Sequence, residues 1–263
     1  MLFPESDRVL YRRNPLAEVI CQLQFPTLLQ IANELPSDFQ QLIRESYPIF
    51  RQETGSPMIP PEMSQLLANL PANLQSGPIY FFDNEAGTRT VTLTRDSLAV
   101  TERSYTQWEV LRGEIETVRQ AVEEVYAPSF YTRVGLRYQN ILDRDALEIQ
   151  DAPWAELLHP AIAGALGADE ALASAVKGIG GAAEITISSL PDAAVRIQYG
   201  LVQGPPDKSA PFALDADFYT NQRSPYDQIP YILAAFNRLA GDLFRWAITE
   251  RLRDALRPAS LEE

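Results

Sequence analysis

The chain has 263 residues, 46% of them hydrophobic and 22% charged, a make-up that excludes disorder over most of its length. Acidic residues outnumber basic ones 35 to 22 for a net charge of −13, and without a basic stripe that balance argues against direct nucleic-acid binding. A single cysteine, Cys21, excludes an internal disulfide or a thiolate metal cluster built by one chain, and a single histidine, His159, excludes any one-chain site needing two imidazoles.

The opening MLFPESDRVLYRRNP has no basic segment followed by an apolar core, so no signal peptide is expected. No run of 18 apolar residues occurs, so neither is a transmembrane helix, and the expected location is the cytoplasm.

In chain order, the Asn14-Pro15 turn signal precedes a predicted strand over Leu16–Phe25. There Ala17, Val19, Cys21, Leu23 and Phe25 point one way, and Glu18, Gln22 and Gln24 the other. A helix is expected over Asp38–Tyr47, with Phe39, Leu42 and Ile43 on one face and Pro48 ending it. Residues 51–78 read as an extended, proline-interrupted loop, with room for a short helix at Glu62–Leu70. A meander follows over Ile79–Asp83, Arg89–Thr94 and Leu98–Arg103, then a helix over Trp108–Val125 with Leu111, Ile115, Val118 and Val122 as its buried stripe.

The second half begins with a strand over Phe130–Ile141 and helices over Trp154–Leu166 and Asp169–Val176. Gly178–Gly181 reads as a linker: it lacks the Lys-Ser/Thr of a phosphate loop, and a strand follows it. A hairpin of Ala183–Ser189 and Val195–Val202, a strand at Phe212–Tyr219 and a long helix over Tyr226–Leu256 complete the chain. The expected fold is α+β: two similar strand–helix–meander–helix units, residues 1–128 and 129–263, with antiparallel sheet and helices on one face. By analogy with TATA-binding-protein-like and helix-grip duplications, the two sheets are expected to join into one.

The face opposite the helices then carries Glu18, Gln22, Gln24, Arg133, Arg137, Arg196, Gln198, Asp215 and Asp217. This mixed-charge set suits a solvated face of ion pairs or a recognition surface, with Arg137 able to pair bidentately with Asp215 or Asp217. Asp215 and Asp217, two residues apart, have the spacing of a cation site only with a further ligand, for which Glu18 is the best candidate. His159 reads as a helix-end residue and Cys21 as a core residue.

Four segments together resemble a family of sporadically distributed, uncharacterised bacterial proteins of about this length. They are Tyr11-x-x-Asn14-Pro15-Leu16-x-Glu18-Val19, Val134-Gly135-Leu136-Arg137-Tyr138-x-Asn140, Leu214-Asp215-x-Asp217 and Phe244-x-x-Ala247-Ile248-Thr249-Glu250-x-Leu252. The resemblance implies no reaction, substrate or cofactor, and its sporadic distribution implies an association with defence or toxin–antitoxin systems.

The sequence thus points to a binding or regulatory protein with a protein partner, and leaves a homo-oligomer open. The candidate contacts are Glu18, Arg133, Arg137, Asn140, Asp215 and Asp217; no catalytic residue, metal ligand or cofactor is indicated. The alternative is an enzyme or sensor for a small phosphorylated or nucleotide-like ligand. There Arg133 and Arg137 hold phosphate, and Glu18, Asp215 and Asp217 hold metal or act as acid and base.

Overall fold

A computed structural model of the chain describes residues 2–54, 77–204 and 209–259. The first half contains β1 (Leu10–Tyr11), β2 (Leu16–Gln24), α1 (Leu29–Asn33), α2 (Ser37–Ile43) and β3 (Ile49–Thr54). It continues with β4 (Pro78–Asp83), β5 (Arg89–Thr94), β6 (Ser97–Glu102) and α3 (Trp108–Tyr126). The second contains β7 (Arg133–Leu142), α4 (Pro160–Ala163), α5 (Glu170–Ala175), β8 (Gly180–Thr186), β9 (Ala193–Leu201) and β10 (Phe212–Thr220). α6 (Ile229–Ala247), α7 (Glu250–Ala255) and β11 (Pro258–Ala259), which pairs with β1, end the described chain.

Nine strands form one antiparallel sheet in the order β3-β4-β5-β6-β2-β7-β10-β9-β8. The two halves meet where β2 pairs with β7. Outward from that seam the order β2-β6-β5-β4 matches β7-β10-β9-β8, with β3 added outside the first set. This likeness is one of strand order; the sequence carries no residue repeat to match it.

Period-two patterning explains why the sheet has a wet and a dry side. Val19, Cys21 and Leu23 of β2, Val134, Leu136 and Tyr138 of β7, and Leu214, Ala216 and Phe218 of β10 are all buried on one face. The helices pack there. Phe39 of α2 meets Phe82 edge-on with ring centroids 5.3 Å apart, Phe236 of α6 lies 6.2 Å from Phe218, and the Tyr138 hydroxyl donates to Asn237 Oδ1 at 2.8 Å. α3 buries the expected stripe and ends where Ala127 turns left-handed (φ 42°) ahead of Pro128.

Several elements depart from the sequence expectation. Ala17 does not join the buried row: a bulge between Leu16 and Glu18 leaves it exposed and puts Leu16 opposite Asn140 on the covered side. Residues 51–54, read as the start of a loop, belong to the edge strand β3, and the helix proposed at Glu62–Leu70 lies outside the described residues. The Trp154–Leu166 helix is broken into a short 3-10 turn, α4 and a second 3-10 turn. Pro160 starts α4 there, and the His159 N–H donates to Ala247 O at 2.9 Å.

That same contact divides the long C-terminal helix. Ile248 is extended and bridges to Leu158, the Thr249 N–H donates to Leu157 O at 3.0 Å, and Thr249 caps α7 through Leu252 N. Gly180 and Gly181 are not linker but the first residues of β8. A Cβ on Gly181 would overlap the Tyr199 ring, which lies across it from β9.

Among the described residues, no helix is long and apolar enough to cross a membrane.

Candidate functional site

The strand registers gather the polar set on the side of the sheet away from the helices. Ile20, Arg137, Asp217, Arg196 and Glu184 are successive cross-strand neighbours through β2, β7, β10, β9 and β8. A parallel row runs Glu18, Gln139, Asp215 and Gln198. On the other side of β2, Thr101 of β6, Thr90 of β5 and Asp83 of β4 extend the same face. The alternating threonines of Thr90-Val91-Thr92-Leu93-Thr94 were the sequence signal for that half.

At the centre of the face the ion pairs are not the directly opposed ones. Arg137 sits opposite Asp217, yet its fork engages Asp215, with Nε to Oδ1 at 2.7 Å and Nη2 to Oδ2, and Gln139 Nε2 donates to the same carboxylate at 3.3 Å. Arg133 takes Asp217, Nη2 to Oδ2 at 2.8 Å, and Gln22 Oε1 from Nη1 at 3.0 Å. Its guanidinium lies 5.0 Å from the centre of the Tyr219 ring. Further out, Arg196 pairs with Glu184 at 2.9 Å and Arg103 with Glu18 at 3.1 Å. Arg103 also reaches Thr90 Oγ1, whose hydroxyl donates to Asp83.

Gly135 makes the Arg133 arrangement possible. A Cβ there would overlap Arg133 Nη1, so the side chain runs along its own strand only over a glycine. Gly135→Ala is expected to displace Arg133 from Asp217 and Gln22 while leaving the backbone in place. Loss of the charge-assisted bonds costs about 1.5–3 kcal/mol, partly offset by the better strand residue. Urea denaturation measures that sum, and a variant as stable as its parent with Arg133 still on Asp217 in a crystal structure would refute the account.

Burial works against the Arg137 charge, and the carboxylates of Asp215, Asp217 and Glu18 outweigh it, so the guanidinium holds its proton more firmly than usual. Burial pushes the Asp217 carboxyl above the usual carboxylate range despite Arg133 and Arg137, with Asp215 adding repulsion. The stability that Asp217 contributes is therefore complete below the ordinary carboxylate value and declines as pH rises through the raised one.

Five of the six candidate residues, Glu18, Arg133, Arg137, Asp215 and Asp217, share this face. Asn140 does not: it is 6% exposed on the covered side between Leu16 and Leu214, donating Nδ2 to Leu214 O at 3.3 Å. Strand parity carried that signal, since Asn140 is in step with Leu136 and Tyr138 and out of step with Arg137.

The cysteine and the histidine both serve the fold. Burial pushes the Cys21 thiol up to about 12. The His159 ring accepts from Ala161 N at 3.2 Å as the cap of α4 and lies 4.4 Å from the Trp246 ring. Among the described residues no group of three His, Cys, Asp or Glu side chains is placed to hold a metal ion. A comparison with protein-family models gave no match, and a comparison with curated proteins gave none.

Proposed function

We propose that this chain is a binding or regulatory protein that recognises a protein partner through the open face of its sheet, in the role of an antitoxin, immunity or defence-system component. One observation carries the reading: the face away from the helices holds a mosaic of cross-strand ion pairs, bordered by the exposed side chains of Ile49 and Ile141. Mixed polar and apolar area of this kind is the make-up of a non-obligate interface. Exposed charges in such a mosaic set partner choice and association rate more than affinity.

The phosphorylated-ligand alternative has less support. Both forks that would hold a phosphate are already closed on carboxylates, Arg133 on Asp217 and Arg137 on Asp215. An incoming phosphate would have to displace an intramolecular partner and leave it uncompensated.

The test is native mass spectrometry of the tagged chain purified gently from its host, beside the exchanged pair Glu184→Arg with Arg196→Glu. That exchange keeps an internal attraction on the exposed edge and reverses the polarity a partner meets. A stoichiometric protein partner with the parent chain, lost with an equally stable exchanged variant, is the expected result. A partner retained by the variant, a lone chain, or a lone chain carrying a small bound mass would overturn the reading.

A further inference from the structure

On the covered side of the sheet, facing away from the ion-pair mosaic, the N-terminal segment and α6 line a cavity of about 300 Å³. Its walls include Tyr11, Tyr105, Tyr138 and Phe244, and its polar lining includes Asn140 and Asp242. A cavity of that size, with aromatic side chains set among polar and charged ones, has the make-up of a small-molecule site. The Tyr11-x-x-Asn14-Pro15-Leu16 segment, which the open face leaves unexplained, lies along it.

Charge decides what the cavity suits. Three arginines stand on its lining, and each is engaged: Arg8 with Glu109, Arg238 with Glu5, and Arg245 with Glu250. Asp242 is different. It is 4% exposed and pairs with no cation among the described residues; Oδ1 accepts from Ser6 N and Ser6 Oγ, both at 2.9 Å, and Oδ2 has no partner among those residues. Asn140 spends its Nδ2 on Leu214 O, and its Oδ1 likewise accepts nothing among the described residues. Asp242 Oδ2 and Asn140 Oδ1 are thus two acceptors on the lining with no hydrogen-bond partner among the described residues, and the first belongs to a carboxylate with no cation beside it. A carboxylate so placed calls for a positive donor, and aromatic walls attract a cation through their ring faces.

We propose that this cavity binds a small organic ammonium ion, a primary amine on an apolar or aromatic body, with Asp242 and Asn140 receiving its N–H groups. An ammonium presents three donors and no acceptor, which matches the two acceptors, Asp242 Oδ2 and Asn140 Oδ1. A quaternary ammonium would fill the aromatic walls but leave both acceptors unpaired.

Three isosteric probes test this by isothermal titration against the full chain: phenethylamine, phenethyl alcohol and hydrocinnamate, which are cationic, neutral and anionic at neutral pH. The cation is expected to bind about tenfold or more tightly than either of the others. Asp242→Asn retains an oxygen for Ser6 and removes the charge, so it should erase that preference. Gly241→Leu is the second variant: Gly241 lines the cavity from within α6, and a Cβ there meets nothing within 4 Å. That substitution favours the helix and occupies the space, so binding should be lost without a lower melting temperature. Tighter binding of the anion, equal binding of all three, no binding of any at millimolar concentration, or an undiminished preference in either variant would overturn the proposal.

Discussion

Arg89→Met is expected to lower stability by about 3–5 kcal/mol, because it strands two carboxylates at once. Arg89 opens β5 opposite Glu102 of β6, and both side chains turn to the covered side of the sheet. Nε and Nη2 both reach Glu102 Oε2, at 2.6 and 2.5 Å, and Nη1 reaches Glu114 Oε1 of α3 at 2.8 Å. Glu102 is 2% exposed and its other oxygen accepts from Ser104 N; Glu114 also accepts from the Tyr47 hydroxyl at 2.9 Å. Burial opposes the Arg89 charge, and Glu102 and Glu114 outweigh it.

Methionine fills the space of the arginine stem but offers neither carboxylate a positive partner, and the two then repel. For a chain of this size a loss of that magnitude corresponds to roughly 10 °C in melting temperature. Chemical denaturation at neutral pH measures it, and adding Glu102→Gln to Arg89→Met should recover part of the loss. A single variant within about 1 kcal/mol of the parent would mean that this network contributes nothing beyond surface pairing.

The second large effect concerns the open face. Arg137→Met alone is expected to cost about 3 kcal/mol, since Asp215, 7% exposed, would keep only the weak donor Gln139 Nε2. Arg137→Met with Asp215→Leu is expected to be within about 1 kcal/mol of the parent, because apolar residues of similar volume often replace a buried pair without loss. Denaturant midpoints for the parent, both singles and the double form a cycle that isolates the pair. Additive losses, with the double variant the least stable of all, would show that Arg137 and Asp215 act independently.

The double variant also separates stability from recognition, as it keeps the fold and removes the charge. Under the proposed function it should lose the protein partner that native mass spectrometry detects with the parent. The ammonium cavity lies on the other side of the sheet and should be unaffected.

Much of this architecture is written in local periodicity. The alternation in β2, β7 and β10 follows from the choice of Val19, Cys21 and Leu23, of Val134, Leu136 and Tyr138, and of Leu214, Ala216 and Phe218, and alternation alone places Arg133, Arg137, Asp215 and Asp217 on the wet side. The stripe of α3 and its end at Ala127-Pro128 are equally local, because spacing and a helix terminator need no partner.

Other features exist only once distant segments meet. The bulge at Ala17 depends on how β2 matches β7, and the break at Ile248-Thr249 on backbone bonds to Leu157 and His159. Which arginine takes which aspartate was not deducible from opposition across strands, since Arg133 reaches Asp217 only by lying over Gly135 and Arg137 turns diagonally to Asp215. The cavity left no local signature because its walls come from four separated segments, and Asp242 meets Ser6 only when α6 packs against the N-terminal segment. Residue order dictates which faces are wet and which are dry; the partners across each face arise from register and packing, which act between residues that the sequence keeps far apart.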